Sequence, residues 1–309
     1  MSQPIQYRVS ISIINYNCAQ YTLNCIQSIL EQTATIPYEM LVVDNCSGAA
    51  DLEELKSGLS DLPNLKLIES KQNLGFAGGH MLAFEQCGSD YFFVLNSDCL
   101  LMNDTIGILT DHMDHNPEVG LVTGQMHNWE GELQNSFGYL PSLAKSLLGT
   151  GLARVFQPRE FPKKLHYEHP VDVPYVTGSA MFFRTSALKE IGGLDTGFFL
   201  YCEEEDVAVR LKKAGHSIQV VPTAHFKHYH GGSTNEREDM EKKLIFLREY
   251  YISFFRLLGK HYSILSQCLF MIIHFFKNLK KVFKHKNYFN IALTILNQNR
   301  VKHSIRPKH

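Results

Sequence analysis

The sequence predicts an α/β fold in which helices flank a mostly parallel, Rossmann-like central sheet. Segments rich in β-branched and aromatic residues alternate with segments of helical periodicity, which is the pattern of strand–helix–strand units. Several strand candidates, above all residues 91–95, are apolar without interruption, as strands buried on both faces are. Polar residues follow these runs directly, at the carboxyl edge where open α/β sheets bind ligands.

Composition excludes a general affinity for nucleic acid. The 309 residues carry a formal net charge of −1, so no electrostatic argument favours a nucleic-acid partner. Seven cysteines form no C-x-x-C pair and are expected to be reduced thiols of a cytoplasmic protein. Residues 1–8 lack the features of a signal peptide, and no stretch reaches the roughly 18 apolar residues of a membrane-spanning helix.

The first half of the chain supplies the predicted parallel sheet. Strand candidates end in polar turns, and each is followed by a helix candidate. In order, we expect strands at 9–14, 39–43, 65–68 and 91–95, and helices at 21–30, 51–59 and from the glycine-rich loop 73–80 onward.

The glycine positions disfavour a dinucleotide-binding oxidoreductase. Such a protein would have G-x-G-x-x-G directly after the first strand, where this chain has Asn15-Tyr16-Asn17-Cys18. Gly75, Gly78 and Gly79 have another spacing and follow the third strand. They predict either a flexible loop before a helix or a close approach of the backbone to a nucleotide.

Asp98 is the first candidate for metal binding. It follows strand 91–95 in Asn96-Ser97-Asp98, so its carboxylate would lie just outside a rigid strand end. A carboxylate in that place can hold Mg²⁺ or Mn²⁺, which in turn holds a diphosphate. The alternative is a turn cap, because Asn, Ser and Asp all favour turns.

The second half continues the alternation around a long irregular segment. We expect a helix at 104–115, a strand at 119–122, a strand around 177–180 and a short helix at 185–191 that ends at Gly192-Gly193. Residues 125–170 have no periodicity. Such segments are usually functional loops or disorder, and we favour a loop on the second-substrate side of a cleft.

Four consecutive carboxylates, Glu203 to Asp206, form the second chemical candidate. They would occupy the first turn of a helix, where the dipole favours negative charge. The apolar lead-in at 198–202 would hold them at a pocket wall, where a carboxylate of raised pKa can act as a general base. An ordinary acidic helix cap explains the same residues. Glu205 is expected to be an exposed neighbour.

Three histidines follow the next predicted strand, at positions 225, 228 and 230. In an extended segment, alternation would place His228 and His230 on one face. The cluster suggests a metal site, although a single histidine is more often a hydrogen-bonded structural residue.

Taken in order, these blocks resemble the family 2 glycosyltransferases of GT-A fold, in particular the rhamnosyltransferase-like branch. The resemblance covers residues 9–233, and each block is weak alone whereas the ordered set is specific. The blocks are Ile14-Asn15-Tyr16-Asn17, Val42-Val43-Asp44-Asn45-Cys46-Ser47, Asn73-Leu74-Gly75-Phe76-Ala77-Gly78-Gly79, Leu95-Asn96-Ser97-Asp98, Val176-Thr177-Gly178-Ser179-Ala180, Gly192-Gly193-Leu194-Asp195, Phe198-Phe199-Leu200-Tyr201-Cys202-Glu203-Glu204 and His228-Tyr229-His230-Gly231-Gly232-Ser233.

The resemblance implies a nucleotide-sugar site at the carboxyl edge of the sheet. Asp44 would hydrogen-bond the nucleotide base, helped by the backbone around Tyr16. Asn73 and Gly75 would lie along the ribose and phosphates. The full implied binding set is Asn15, Tyr16, Asn17, Asp44, Asn45, Asn73, Gly75, Gly79, Asn96, Ser97 and Gly178.

The resemblance also implies a divalent metal and a catalytic base. Asp98 matches the last acid of the family's D-x-D motif and would bind Mg²⁺ or Mn²⁺ with His228, while Asn96 replaces the first acid. Glu204 falls where the family has its base, normally Asp. The catalytic candidates are Glu204, Glu203 and Asp206.

An inverting glycosyltransferase of cell-surface polysaccharide synthesis is the implied function. A nucleotide-diphosphate sugar, dTDP-rhamnose or a UDP-sugar, would donate its sugar to a hydroxyl of a glycan or lipid-linked acceptor. One carboxylate would remove the acceptor proton in a single displacement. Glu204 and Asn96 depart from the widest family pattern, as do Ser97 and His80 from that of the branch. A catalytically inactive nucleotide-sugar-binding protein of the same fold is therefore the alternative.

Composition changes near residue 246, which predicts a GT-A domain at 1–245 and a helical extension at 246–309. Aromatic and aliphatic runs at 250–258 and 269–276 precede a lysine cluster at 277–286. An apolar helix beside lysines is typical of an anchor on anionic lipid, so we expect a protein peripheral to the cytoplasmic membrane face. A helix packed on the domain or a dimer contact is the alternative. Removal of the extension is expected to leave a folded catalytic domain.

Overall fold

Strands and helices alternate through most of the chain in the computed structural model, which describes residues 7–60, 62, 64–156, 167–229, 240–283, 288–296 and 304–307. The strands are β1 Val9–Asn15, β2 Tyr38–Asp44, β3 Leu65–Glu69, β4 Tyr91–Asn96, β5 Cys99–Leu101, β6 Val119–His127, β7 Phe137–Gly138, β8 Val171–Asp172, β9 Tyr175–Val176, β10 Ala180–Arg184 and β11 Ser217–His228. The helices are α1 Ala19–Gln32, α2 Ala49–Leu59, α3 Gly75–Phe84, α4 Thr105–His115, α5 Leu143–Phe156, α6 Thr185–Glu190, α7 Glu203–Lys213, α8 Met240–His261, α9 Ile264–Lys281 and α10 Tyr288–Leu296.

The central sheet has the order β3-β2-β1-β4-β10-β6-β11-β5, with β8 paired to β11. The first four strands pair in parallel, as do β6 and β11. β10 lies antiparallel between β4 and β6, and β5 and β8 are antiparallel to β11. The predicted α/β fold with a mostly parallel sheet is confirmed: β1, β2, β3, β4, β6 and β11 run in one direction, and β5, β8 and β10 run in the other. The chain reaches β10 through a long insertion instead of a single helical crossover. This strand can therefore run antiparallel to its neighbours β4 and β6.

The two faces of β4 explain its uninterrupted apolar sequence. Phe93 and Leu95 lie in the hydrophobic core on one side of the sheet, and Phe92 and Val94 lie in the core on the other side. Because both faces are covered, the strand end is held rigidly, and the polar residues after Leu95 leave it in a defined direction.

The described part of the insertion between β6 and β10 contains more secondary structure than the sequence predicts. It contains α5, in which Gly149 has a non-helical conformation, and a small antiparallel pair of β7 with β9. A helix interrupted at one glycine has no continuous periodicity, and two-residue strands are too short to show alternation. These features explain why sequence patterns suggested only a loop.

The C-terminal helices form a third hydrophobic core with the loop that precedes α7. Phe198 and Cys202 of that loop share the core with Phe254, Leu258 and Phe270. The boundary predicted between residues 245 and 246 falls inside α8, because composition changes within this helix rather than at its start. The extension therefore packs on the domain. Within the described ranges, none of the helices has the length and hydropathy needed to cross a bilayer.

Candidate active site

A buried hydrogen-bond network around Asn15 joins the ends of β1 and β2. The Asn15 amide donates to Asp44 Oδ1 at 3.0 Å, to Ser47 Oγ at 3.0 Å and to Asp51 Oδ2 at 2.7 Å. Its carbonyl oxygen accepts from Thr22 Oγ1 at 2.8 Å. Both ends of the Asn15 amide are thus used within the protein. Asn15 positions the strand ends instead of contacting a nucleotide, which corrects its predicted role.

Asp44, Tyr16 and Asn17 lie at the same edge of the sheet. Asp44 is buried and also accepts from the Ser47 backbone N–H, at 3.1 Å. Asn17 has a left-handed conformation with φ of 54°, and its side chain accepts from the Gly48 N–H at 2.8 Å. Tyr16 is exposed. An exposed aromatic ring near a buried carboxylate is an arrangement suited to an aromatic base with polar edges.

Asn45 holds the turn that precedes α3. Its amide donates to Asn73 Oδ1 and to the Gly75 carbonyl, both at 3.1 Å. Gly75 has φ of 72°, and a Cβ at this position would collide with the backbone of Phe199. Glycine is therefore required here, and the turn packs directly on the loop that leads to the acidic helix.

Gly79 and His80 face the protein core. A Cβ on Gly79 would lie 2.6 Å from Ile14 Cδ1, so close packing of α3 on β1 accounts for this glycine. His80 Nδ1 lies 2.7 Å from Ser12 Oγ, and burial lowers the pKa of His80 to about 3. Neither residue is placed to touch a ligand, which corrects the predicted binding role of Gly79. His80 is a neutral, hydrogen-bonded core histidine.

Asp98 and His228 come together at the carboxyl end of β4. His228 Nε2 lies 3.2 Å from Asp98 Oδ1, and these side chains are only 12% and 10% exposed. The register of β11 with β5 sets this pair, since His228 lies opposite Cys99, and the Tyr229 N–H donates to the Asp98 carbonyl at 3.0 Å. A carboxylate beside an imidazole fits a divalent cation. His230 lies outside the described residues.

Cys99 is the third potential ligand at this place, and sequence reasoning missed it. Its Sγ lies within 4.8 Å of the ligand atoms of Asp98 and His228. However, the thiol contacts the Ser179 carbonyl at 3.3 Å, and burial raises its pKa well above the usual value. A protonated thiol is a poor partner for a hard cation. Asp98 and His228 are therefore the residues that fit Mg²⁺ or Mn²⁺.

The loop before β10 links the candidate metal site to the acidic turn. The Asn96 N–H donates to the Ser179 carbonyl at 2.9 Å, and Ser97 Oγ lies 3.4 Å from Cys18 Sγ. The Gly178 N–H hydrogen-bonds Glu204 and lowers the pKa of that carboxyl against the effect of burial. The antiparallel entry of β10 thus places Gly178 between the end of β4 and the start of α7.

Glu203, Glu204 and Glu205 form the first turn of α7, as predicted, and none of them is fully exposed. Burial raises the pKa of all three carboxyls, and the charge of Glu204 raises those of Glu203 and Glu205 further. Three carboxyls in one desolvated turn favour protonated forms, because burial and mutual repulsion oppose their charges. Such surroundings supply the raised pKa that a general base requires.

The structure contradicts the expected exposure of Glu205. This carboxyl is half-buried against the insertion, and burial together with the Glu204 charge raises its pKa to about 8. The Lys145 ammonium and a hydrogen bond with Tyr175 oppose this rise. Lys145 itself donates to the Tyr139 carbonyl at 3.1 Å. Lys145 lies in the segment without periodicity, where no sequence signal marked it, and Tyr175 lies in the two-residue strand β9, which is too short to show alternation.

Asp206 does not face the cleft. It is fully buried and accepts from His261 Nε2 at 2.8 Å, from Lys260 Nζ at 2.6 Å and from Arg210 Nε at 2.8 Å. Two of these partners belong to α8, so the carboxylate holds the acidic helix against the extension. The catalytic role predicted for Asp206 is therefore wrong. Removal of α8 would leave a buried ion cluster incomplete, which also argues against an independently folded domain without the extension.

Two consecutive residues before α7 have left-handed backbone conformations, with φ of 71° at Tyr201 and 67° at Cys202. Such conformations cost on the order of 1–3 kcal/mol each and persist only where the surroundings enforce them. Ser253 Oγ of α8 donates to the Leu200 carbonyl at 2.7 Å, and Cys202 is buried in the third core. These contacts direct the acidic turn towards the Gly178 loop.

An aromatic group lies beside the candidate metal site. Tyr229 stacks on Tyr21 with ring centroids 5.6 Å apart, and the edge of Trp129 meets Tyr229 at the same distance. Trp129 is exposed. The residues come from three separate parts of the chain, so sequence spacing could not predict the group.

The fold and this arrangement of residues define a glycosyltransferase of GT-A fold. The family model described as glycosyl transferase family 2 matches residues 10–192. An N-acetylglucosaminyl-diphospho-decaprenol L-rhamnosyltransferase of Mycobacterium tuberculosis is 28% identical over 217 residues, covering 64% of this chain and 68% of the relative. This chain belongs to glycosyl transferase family 2 and is rhamnosyltransferase-like, as its sequence blocks predict.

Two solved structures share the fold. The crystal structure of GalNAc-T7 with UDP, GalNAc and Mn²⁺ has a TM-score of 0.58 at 13% identity, covering 82% of this chain and 48% of that one. The mannosyltransferase PcManGT from Pyrobaculum calidifontis, in complex with GDP-Man and Mn²⁺, has a TM-score of 0.56 at 17% identity, covering 95% of this chain and 75% of that one. The chain spans about half the length of GalNAc-T7.

Proposed function

We propose that this chain transfers a sugar from dTDP-rhamnose or a UDP-sugar to a hydroxyl of a glycan or lipid-linked acceptor, with inversion, in polysaccharide synthesis. The observation that carries the proposal is the position of Glu204. Its half-buried carboxylate meets the Gly178 loop, which also contacts the end of β4, and Asp98 lies just after that end, beside His228 of β11. The name of the Mycobacterium tuberculosis relative supports rhamnose as the sugar and a lipid-linked acceptor.

The donor would bind along the carboxyl edge of β1, β2 and β4. Asp44 and Tyr16 would receive the base, and the Asn73–Gly75 turn would lie along the ribose and phosphates. Asn45 supports this turn by its hydrogen bonds, which makes it a positioning residue. The backbone of Gly75 lies close to Phe199, so donor binding at this turn would also affect the loop that precedes α7.

Asp98 and His228 would hold a divalent cation. The solved relatives GalNAc-T7 and PcManGT each contain Mn²⁺, which supports such a requirement here. When bound, the cation would stabilise the negative charge that develops on the leaving diphosphate. Asn96 and Ser97 would lie beside it at the end of β4.

Glu204 would act as the single general base. Its pKa is raised by burial and held down by the Gly178 N–H, so the carboxyl is poised to accept a proton from the acceptor hydroxyl. As that oxygen attacks the anomeric carbon, the bond to the diphosphate breaks and the configuration inverts. Glu203 is buried next to it, and burial together with the Glu204 charge raises the pKa of Glu203, so this carboxyl would favour its protonated form while Glu204 accepts the proton.

A turnover experiment tests this proposal against the alternative of an inactive nucleotide-sugar-binding protein. Each donor is incubated with Mn²⁺ and a synthetic N-acetylglucosaminyl-diphospho-lipid, and product is followed by mass spectrometry. We expect Glu204→Gln to lose at least 100-fold in kcat while binding the nucleoside diphosphate normally. Glu54→Gln, on the exposed face of α2, is the matched control. Binding of a donor without turnover by the unaltered chain would establish the alternative.

A further inference from the structure

α5 and α9 adjoin each other and expose apolar side chains around their contact. Lys277 Nζ of α9 donates to the Ser146 carbonyl of α5 at 2.6 Å, which ties the two helices together. We define the α5–α9 surface by Leu147, Leu148 and Val155 of α5 and Leu265, Ile272 and Phe276 of α9, all of them exposed.

The exposure is too large and too regular to be incidental. Val155 and Leu265 are 72% and 71% exposed, and Leu147 is 66% exposed. On α9 the exposed residues Leu265, Leu269, Ile272 and Phe276 recur with helical spacing, while Phe270 is buried in the core on the opposite side. Contiguous apolar surface of this kind marks a protein or membrane contact.

The charges around the α5–α9 surface favour a bilayer as its binding partner. Neither α5 nor α9 contains Asp or Glu, and Lys280 and Lys281 lie in the last turn of α9. In the sequence, no Asp or Glu occurs after Glu249, whereas eleven Lys and Arg do, although the whole chain has a formal net charge of −1. A second copy of this surface would bring like charges together, while anionic lipid headgroups complement them.

α5 connects this surface to the acidic pocket. Lys145 of the same helix reaches inward, where its Nζ donates to the Tyr139 carbonyl at 3.1 Å and its charge acts on Glu205. Leu147 and Leu148 of α5 are exposed instead. A bilayer in contact with α5 would therefore lie close to the carboxyls of α7.

We propose that the α5–α9 surface docks this protein on an anionic membrane and presents the acidic pocket to acceptors whose lipid remains in the bilayer. The acceptor part rests on the proposed function, whereas the docking part stands alone. Apolar side chains would enter the interfacial region while the lysines contact headgroups.

Vesicle flotation with the full chain tests the docking. We expect the protein to float with vesicles of 30 mol% phosphatidylglycerol in phosphatidylcholine and to bind pure phosphatidylcholine at least tenfold less. Leu148→Glu combined with Ile272→Glu should lower binding at least tenfold. Lys280→Gln combined with Lys281→Gln should lower it by about fivefold per lysine, and only at low salt.

Two matched controls test whether a change in vesicle binding is specific to the α5–α9 surface or follows any change of an exposed apolar or basic residue. Met102→Glu changes an exposed apolar residue after β5, and Lys66→Gln changes an exposed lysine on β3. Both should bind vesicles like the unaltered chain. If the unaltered chain ignores anionic vesicles at low salt, the proposal is overturned. It is equally overturned if the glutamate variant turns a dimer into a monomer without changing vesicle binding.

A further readout distinguishes this proposal from the proposed function. The glutamate variant should bind nucleoside diphosphate normally and lose turnover only with acceptors embedded in vesicles. Vesicle binding by the unaltered chain without turnover of any donor would support the docking and reject the proposed function. Equal turnover of embedded and soluble acceptors by the variant would reject the link between docking and acceptor.

Discussion

The carboxylates in the first turn of α7 differ in the side chains and backbone groups that contact them. Glu204 meets the Gly178 N–H, Glu205 meets Lys145 and Tyr175, and Asp206 meets three basic side chains. Three neighbouring acids of similar chemistry therefore have different partners. Two substitutions test this division, and a third tests the metal site.

Glu205→Gln should change how stability depends on pH. The folded pKa of Glu205 is about 8, above its ordinary value of 4.5, so the folded state holds this proton more tightly than the unfolded state does. Its contribution is fully present below the unfolded pKa and is lost as pH rises towards about 8. We expect the variant to match the unaltered chain at pH 4.5 and to be about 1–2 kcal/mol more stable at pH 8.5. Urea unfolding at both values measures this, and equal free-energy differences would contradict it.

Asp206→Asn should reduce stability and spare catalysis. The substitution removes the charge that compensates Lys260, His261 and Arg210, so we expect a loss of about 2–4 kcal/mol in the free energy of unfolding. Turnover per folded molecule should stay within about threefold of normal. The control is Asp111→Asn, which alters an exposed pair with His115 and should leave the free energy of unfolding nearly unchanged. A stable but inactive Asp206→Asn protein would return this residue to the catalytic set.

Asp98→Ala should abolish metal-dependent binding of the nucleoside diphosphate. Without this carboxylate, His228 alone cannot hold Mg²⁺ or Mn²⁺ well. We expect the affinity with Mn²⁺ to fall to the value measured with a chelator, while the melting temperature without ligand changes little. Isothermal titration with and without Mn²⁺ measures both affinities, and an unchanged Mn²⁺ effect would reject the assignment.

At the scale of elements, the loop before α7 is fixed from two directions. The Gly75 turn at the start of α3 packs on Phe199, and α8 contacts Leu200 and Cys202 from the C-terminal side. Because the acidic helix begins in this loop, both neighbours determine where Glu204 lies.

Gly75→Ala should disturb both the turn and the acidic loop. The positive φ and the collision with the Phe199 backbone each oppose a Cβ, so we expect a loss of about 2–3 kcal/mol in stability. Donor affinity should fall as well. Gly88→Ala is the matched control, since its Cβ would meet open space. Thermal unfolding and titration of the nucleoside diphosphate provide the readouts, and a neutral effect at Gly75 would show that the turn tolerates the shift.

At the scale of the whole molecule, the proposed donor site would be assembled from strand ends that are far apart in sequence. A donor that bridges Asp44, the Asn73–Gly75 turn and Asp98 would therefore stabilise the complete fold. At a concentration of about 100 times its dissociation constant it should contribute ~2.7 kcal/mol, which corresponds to several degrees in the melting temperature.

A thermal-shift screen of nucleoside diphosphates and their sugars follows from this coupling. We expect the true donor to raise the melting temperature by about 4–8 °C with Mn²⁺ and far less with a chelator. Asp98→Ala serves as the control and should lose the Mn²⁺-dependent part. A shift that is the same in both proteins would place the ligand elsewhere.

The sequence by itself determined the family, the α/β class and the order of the chemical blocks. This information is local, since apolar runs mark the buried strands and the polar residues that follow them must lie at strand ends. The acidic first turn of α7 and the position of Asp98 after β4 were predictable for the same reason.

Only the tertiary structure decided which of these residues can meet a ligand and which support the fold. Asn15, Gly79 and Asp206 have the expected chemistry and the expected positions in sequence, yet their side chains or contacts are used internally. The antiparallel entry of β10, the pairing of Asp206 with α8 and the place of Lys145 beside Glu205 all join distant parts of the chain. Burial and charge pairing arise from such long-range contacts, and these contacts set the pKa and the role of each carboxylate.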